Sequence, residues 1–431
     1  MEQSVFKKFK LTFLAYAFGV WSFVIGINLI PIMFVPLMNL YGLPFGNLGL
    51  IIGVSFGVQL VVLLLCSKLP DKVGVRPMLL IMSTMVVIGF ILLFLTPILF
   101  YNNIIFGLIL ASIIYGTGGG FMATMLNPIV NAMPFKNKEK SMALFHSIFA
   151  LFMVISIIIM SVSIFLLPYE MWNFVPLFFI IVPICSFLLW LKAPLVQPIK
   201  QISNENDKNK ESNLKRKWKT LALFIFATIV GMASESIVGK GASAYIELGL
   251  NVPKLVGDIL GPAMFALSLG LGRLLYGVLG KKISIKVFMI FGSLASFVFY
   301  LIAVFTPVPA IGVVALALCG FALSLTVPGM LALTGSTFAK DGVFVFVLMS
   351  SAGKIGGAGG PALFGLLGGV FDAPFLAGVA GAMNLTTQQA GLRLALLICA
   401  LFPLISFILQ VIISKSSHCT SDIVARNNNN S

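Results

Sequence analysis

The chain has 431 residues, of which 59% are hydrophobic and 10% are charged, and its formal net charge is +15 at pH 7. A soluble domain carries about 25% charged residues, so this composition excludes an ordinary water-soluble protein. The positive charge does not require a nucleic-acid partner, because its placement along the chain follows membrane topology, as described below.

Most of the apolar material must face lipid, since 39 Phe and 19 Met are too much to hide in one core. In lipid, every backbone polar group needs an internal partner, which helices and closed barrels provide. The apolar runs are too continuous for the alternating strands of a barrel. The sequence therefore predicts an all-α membrane protein.

A spanning helix needs about 20 mostly apolar residues. The first six such windows are 11–38, 46–67, 77–98, 104–132, 142–167 and 172–192. The other six are 219–246, 255–279, 286–306, 309–338, 343–371 and 390–413. A polar, basic segment separates the two sets. We therefore predict four parts: a six-helix bundle at 1–193, a cytoplasmic linker at 194–218, a second six-helix bundle at 219–414, and a disordered cytoplasmic tail at 415–431.

The basic residues indicate the orientation of the chain. If the N-terminus is cytoplasmic, most of the 28 Lys and Arg lie in cytoplasmic loops, in the linker or in the tail, and the opposite loops and helix ends hold only Lys254 and Arg393. This asymmetry obeys the positive-inside rule. We expect a multi-pass protein of the plasma membrane with both termini cytoplasmic.

Ionisable residues inside the spans are candidates for function, because each costs about 2.5 to 3.5 kcal/mol at a helix centre. Glu235 is the one carboxylate placed well inside a predicted span, and it could bind solute, couple a proton or form a structural ion pair. Lys240 and Lys354 could contact the solute, and Lys354 could instead pair with Glu235. Arg273 lies about two turns from a helix end, so we expect its side chain to reach the interface.

Polar side chains on the helices of the first bundle form a second group of candidates. Asn127 and Asn131 lie one turn apart, and Asn28 and Gln59 occur in the first two spans. Their amides could bind the hydroxyl groups of a solute or could join helices by hydrogen bonds. His146 could relay protons, or it could be a packing residue.

Motifs of enzymatic chemistry do not occur in the sequence. There is no nucleophile elbow, no P-loop, no HExxH and no pair of carboxylates at catalytic spacing. We therefore expect no catalytic residue, no metal and no cofactor.

The loop LPDKVGVRP at 69–77 resembles the second-to-third loop of the major facilitator superfamily, in which Asp71, Lys72, Gly74 and Arg76 match the gating motif. Within that superfamily the chain is similar to the branch of fucose-permease-like sugar transporters. The similar segments are NPIVNAMP at 127–134, LFHSIF at 144–149, ASESIVGKGASAYIELGL at 233–250, VPGMLAL at 327–333 and SSAGKIGGAGGP at 350–361. This resemblance implies the major facilitator fold, with twelve transmembrane helices in two six-helix bundles.

Some positions depart from that branch. Ala123 replaces a Glu that is expected to couple protons, and Lys354 stands where relatives tend to carry an acid. Lys240 and Gly241 replace a polar residue and a Trp. The reversed charge pattern favours a changed or anionic solute.

The functional prediction is secondary active transport of a sugar or sugar-like metabolite by alternating access, with protons as possible partners. The alternatives are an organic or inorganic anion carrier that uses Lys240 and Lys354, and a non-transporting membrane sensor or scaffold. The expected partners are a small solute and the lipid bilayer, without nucleic acid, and the expected state is a monomer.

Overall fold

The computed structural model of the chain describes residues 9–66, 69, 73–132, 138–195, 210–279, 284–338 and 343–428. Within these ranges the chain is helical, with short turns and without a β-strand. The helices of the first bundle are α1 (Lys10–Tyr41), α2 (Gly46–Cys66), α3 (Val75–Leu99), α4 (Ile104–Ala132), α5 (Lys138–Leu166) and α6 (Phe174–Phe179 with Ile181–Lys192).

The helices of the second bundle contain more breaks. They are α7 (Lys210–Ala244, then a π-helical turn at Tyr245–Gly249), α8 (Lys254–Asp258, a π-helical turn at Ile259–Ala263, and Met264–Leu279), α9 (Ile285–Phe305), α10 (Pro309–Leu323 with Thr326–Thr337), α11 (Val343–Phe371) and α12 (Thr387–Cys399 with Leu401–Asn428).

The number of membrane-spanning helices agrees with the sequence prediction. Eleven of the described helical segments are long and apolar enough to cross a bilayer. The twelfth is Val347–Phe371 together with Pro374–Ala382, two parts that are bent by 76° relative to each other. The predicted all-α fold of twelve spans is therefore confirmed.

Two helices extend beyond the predicted boundaries. Helix α7 begins at Lys210, inside the predicted linker, and α12 continues to Asn428, past the predicted start of the tail at Lys415. The middle of the linker, residues 196–209, lies outside the described residues. The boundaries of the linker and tail thus stay predictions.

Successive helices run in opposite directions, so the two ends of the bundle can be told apart by chain position. We call the end with Tyr41, Gly249 and Phe371 the far end, and the end with Lys10 the near end. The predicted orientation would place the far end outside the cell.

At the far end the halves meet along α2 and α11, where small residues face one another. A methyl group added at Gly49 would lie 2.7 Å from the carbonyl oxygen of Ala362, and one added at Gly365 would lie 2.7 Å from the backbone nitrogen of Gly49. We call Gly49, Gly53, Ala362 and Gly365 the glycine seam. Small side chains allow this close backbone approach, as in other membrane helix pairs.

The buried apolar residues form two clusters that differ in extent. The larger cluster includes residues of both halves, and at the far end Phe45, in the turn before α2, packs edge-on against Phe364 of α11 at 5.8 Å between ring centroids. The smaller cluster lies toward the near end and consists of second-half residues such as Leu221, Met330 and Met349. The apolar core thus joins the halves mainly at the far end.

Candidate functional site

Lys240 on α7 forms a polar contact with the first half of the chain. Its Nζ donates a 2.8 Å hydrogen bond to Oδ1 of Asn28 on α1, and both side chains are buried. The Asn28 amide is held in place because its Nδ2 donates to the carbonyl oxygen of Val24, 2.8 Å away on the same helix. The amide oxygen is therefore directed toward the ammonium group.

Lys354 on α11 makes a similar contact with α2. Its Nζ donates a 2.5 Å hydrogen bond to Oε1 of Gln59, and it lies 5.0 Å and 5.6 Å from the ring centroids of Phe23 and Phe56. Aromatic faces at such distances attract a cation. Ser350, one turn closer to the near end on the same face of α11, is exposed. The surface next to Lys354 is therefore accessible on the side of the near end.

Both lysines face the same part of the interface between the halves. A methyl group added at Gly357, three residues after Lys354, would lie 2.9 Å from the Phe56 ring and 3.6 Å from Oγ of Ser236. Ser236 precedes Lys240 by four residues, so it lies on the same face of α7. Lys240 lies about one turn toward the far end from this contact, and Lys354 lies about one turn toward the near end. The predicted site residues Asn28, Gln59, Lys240 and Lys354 thus form two separate contacts at neighbouring depths of the interface.

Glu235 pairs with Arg273 in the structure. Oε1 of Glu235 lies 3.7 Å from Nη2 of Arg273, whose Nε donates a 3.1 Å hydrogen bond to the carbonyl oxygen of Ser324. The other carboxylate oxygen, Oε2, is buried without a hydrogen bond. Arg273 therefore faces the inside of the bundle, and the expectation that it reaches the interface is wrong. The alternative pairing of Glu235 with Lys354 is not the one adopted.

A second polar cluster at the far end was not recognised from the sequence. Asp258, which is 1% exposed, accepts hydrogen bonds from Ser243 and from Lys254, whose Nζ lies 3.0 Å from Oδ2. It also accepts a 3.0 Å hydrogen bond from Ser161 on α5, in the other half. Glu247 completes the cluster at 3.6 Å from Lys254. We call these five residues the far-end cluster.

The sequence contains one sign of this cluster, because Lys254 and Asp258 are four residues apart and can pair on a helix. Because Lys254 and Asp258 lie beside a predicted loop, the sequence does not indicate that they are buried. The flanking π-helical turns, which are frequent at functional sites, cannot be identified from composition.

Several predicted site residues are only partly covered by the structure. Asp71 and Lys72 lie outside the described residues, and so do the side chains of Asn127, Asn131 and His146. The described part of the gating loop has two features. Gly74 adopts φ = 89°, a value that favours glycine, and Nη2 of Arg76 donates a 2.7 Å hydrogen bond to the carbonyl oxygen of Ala193.

A cavity of about 310 Å³ lies at the far end, apart from the lysines. It is formed by the turn between α1 and α2 in one half and by α11 and α12 in the other, with Asn39, Phe45, Asp372 and Gln388 in its wall. The buried Lys240–Asn28 contact and the partly buried Lys354–Gln59 contact make the interface between the halves a stronger candidate site than this cavity.

Comparisons with known proteins agree with this architecture. The family model of the Major Facilitator Superfamily matches residues 13–261, which is more than half of the chain. No curated protein sequence matches. A bacterial homologue of the human lysosomal transporter Spinster, solved in an inward-facing and occupied conformation, is similar in structure with a TM-score of 0.69 and 16% identity over 94% of this chain and 97% of that one.

Two sugar symporters are also similar in structure. A D-xylose-proton symporter has a TM-score of 0.74 and 12% identity over 92% of this chain and 97% of that one. The fucose:proton symporter of E. coli has a TM-score of 0.60 and 16% identity over 94% of this chain and 98% of that one. At these identities the likeness concerns the fold. The family match identifies the chain as a multi-pass secondary transporter rather than an enzyme, and the chain belongs to the Major Facilitator Superfamily.

Proposed function

We propose that this carrier moves a small polar solute, a sugar or sugar-like metabolite, by alternating access between its two halves. The observation that supports the proposal best is the pair of contacts Lys240–Asn28 and Lys354–Gln59. Each joins one half to the other at mid-depth, where transporters of parallel repeats bind their solutes.

The chemistry of these side chains suits a sugar. The amides of Asn28 and Gln59 can both donate and accept, so they can bind hydroxyl groups once the solute is present. The rings of Phe23 and Phe56 offer an apolar face beside Lys354. Two of the similar structures are a D-xylose-proton symporter and a fucose:proton symporter, which agrees with this substrate class.

Alternating access is supported by the difference between the two ends. The glycine seam and the far-end cluster hold the halves together at the far end, while Ser350 is exposed on the side of the near end. In this state the site would open to the near end only. With the orientation that the positive-inside rule favours, this is a cytoplasm-facing state of a plasma-membrane carrier with cytoplasmic termini. We expect the carrier to work as a monomer in which residues 194–218 link the two moving halves.

Transport itself can be tested with purified protein in proteoliposomes. Uptake of labelled pentoses, hexoses and deoxyhexoses should exceed that of empty liposomes. A pH gradient will show whether transport is coupled to protons, for which Glu235 and His146 are the candidate residues. If no solute of this class crosses the membrane, the proposed substrate class is wrong. A non-transporting sensor would bind a sugar in the same preparation without moving it.

A further inference from the structure

The charges at the centre of the interface are unbalanced. Among the described residues, the cations Lys240, Arg273 and Lys354 lie at this depth, and Glu235 is the carboxylate that accompanies them. Arg273 is the nearer partner of Glu235, and the hydrogen bonds of both lysines go to neutral amides. Burial of an ammonium ion in a low-dielectric interior is unfavourable, and a hydrogen bond to a neutral amide offsets this less completely than one to a carboxylate does.

We infer that the solute carries an acidic group, a carboxylate on a sugar-like body, and that this group binds between Lys240 and Lys354. The inference rests on the proposed function, because it names the class of solute for the same site. The lysines project from α7 and α11 in the second half, so a solute that extends from one ammonium group to the other would contact both helices of that half.

Binding of an anion would also change the contacts between the halves. The oxygens of Asn28 and Gln59 occupy the positions on the two ammonium groups that a carboxylate would take. When a carboxylate binds there, the amide oxygens of Asn28 and Gln59 are released and can accept hydrogen bonds from the hydroxyl groups of the same solute. The empty carrier thus satisfies its lysines with first-half amides, and the loaded carrier satisfies them with the solute.

Arg273 differs from the two lysines in that its charge already has a carboxylate partner. The Arg273 guanidinium contacts the carboxylate of Glu235 and the carbonyl oxygen of Ser324, so its charge is balanced within the second half. Lys240, which is 6% exposed, has no comparable carboxylate at salt-bridge distance among the described residues. The lysines are therefore the groups that a solute anion would neutralise.

The test uses matched pairs of probes that differ only in the acidic group: glucose with glucuronate, and galactose with galacturonate. Binding to the purified full-length carrier is measured by isothermal titration calorimetry. We expect each uronate to bind roughly 10- to 100-fold more tightly than its parent hexose, the range that a hydrogen bond to a charged group contributes. Equal or weaker binding of both uronates would overturn the inference.

Variants of the lysines identify the site. Lys354→Gln and Lys240→Gln should each lower the ratio of uronate affinity to hexose affinity about tenfold or more. Lys354→Arg keeps the charge and should retain most of the uronate preference. If the preference persists in both glutamine variants, the acidic group binds elsewhere and the inference fails.

Uptake by proteoliposomes separates this inference from the proposed function. Transport of hexoses without any preference for uronates would overturn the inference and leave the proposed function in place. Transport of neither class would contradict the proposed function and the inference together. Transport of uronates in preference to hexoses, with the preference lost in Lys354→Gln, would support both.

Discussion

The hydroxyl group of Ser161 on α5 donates a 3.0 Å hydrogen bond to the carboxylate of Asp258 on α8, and this contact joins the two halves at the far end. The other partners of Asp258, Ser243 and Lys254, belong to its own half. The second half therefore holds the carboxylate in place, and Ser161 is the partner that must separate if the far end opens.

The first prediction concerns Ser161→Ala. A hydrogen bond to a charged group contributes about 1.5 to 3 kcal/mol, so its loss should shift the carrier toward the state that is open at the far end by roughly tenfold or more. The shift can be measured by electron paramagnetic resonance distances between spin labels at Asn39 and Gln388, which lie in opposite walls of the far-end cavity.

Ser163→Ala is the matched control, because the hydroxyl of Ser163 donates to the carbonyl oxygen of Ile159 in its own helix. It should leave the distance distribution unchanged. If both variants, or neither, shift the distribution, the Ser161–Asp258 contact does not hold the far end closed.

The second prediction concerns the glycine seam. In Gly49→Val the new side chain would meet the backbone of Ala362, which cannot move aside as a flexible side chain could. We expect the far end to be held apart and transport to fall by at least about tenfold, since each one kcal/mol or so of strain in the closed state changes its population about fivefold.

Gly57→Val on the same helix is the control, because a methyl group there would meet no atom within 4 Å. It should transport at close to the original rate. Accessibility of a cysteine introduced at Asn39 to a membrane-impermeant maleimide would report the opening directly. If Gly49→Val and Gly57→Val behave alike, the seam does not govern closure.

The fold could be predicted from the sequence because its signal is local: twelve apolar windows, a polar separator and the asymmetry of the basic loops. The candidate residues Asn28, Gln59, Lys240 and Lys354 could be selected for the same reason, since polar groups are conspicuous in apolar spans. Their pairing could not be predicted, because Lys354 and Gln59 are 295 positions apart along the chain.

The far-end cluster shows a second limit. Ser161 is a common residue in an apolar span, and Lys254 and Asp258 resemble the solvated end of a helix. Their burial depends on how α5 packs against α8, which is a property of the assembled halves. The inward position of Arg273 could not be predicted for the same reason, because its partner Glu235 is on another helix.

The third prediction concerns Glu235→Gln. The variant removes the charge that faces Arg273 and should reduce transport by at least about tenfold, because it leaves a buried cation without its carboxylate. Thermal unfolding should show a loss of stability. In the double variant Glu235→Gln with Arg273→Gln, stability should recover, and transport should stay low if Glu235 takes part in the cycle. Full transport by Glu235→Gln would show that Glu235 is a packing residue and takes no part in transport.

The fourth prediction concerns the orientation of the chain. A single cysteine placed between residues 200 and 209, in a background without the five native cysteines, should react with an impermeant maleimide only after the cells are permeabilised. A cysteine at Asn384, in the turn before α12 at the far end, should react in intact cells. The reverse pattern would invert the topology and place the open near end outside the cell.

The last prediction distinguishes the two possible partners of Glu235 by exchanging charges. Glu235→Arg and Arg273→Glu should each destabilise the carrier by about 3 to 5 kcal/mol, because each places two like charges together in the interior. The double exchange restores one cation and one anion at the observed 3.7 Å contact, so thermal stability should recover in large part. Glu235→Lys with Lys354→Glu should give no such recovery, because Lys354 is hydrogen-bonded to Gln59 across the interface and Arg273 would then face a lysine. Recovery of transport by the Lys354 exchange, with none by the Arg273 exchange, would show that Glu235 changes partner during the cycle and meets Lys354 when the far end opens.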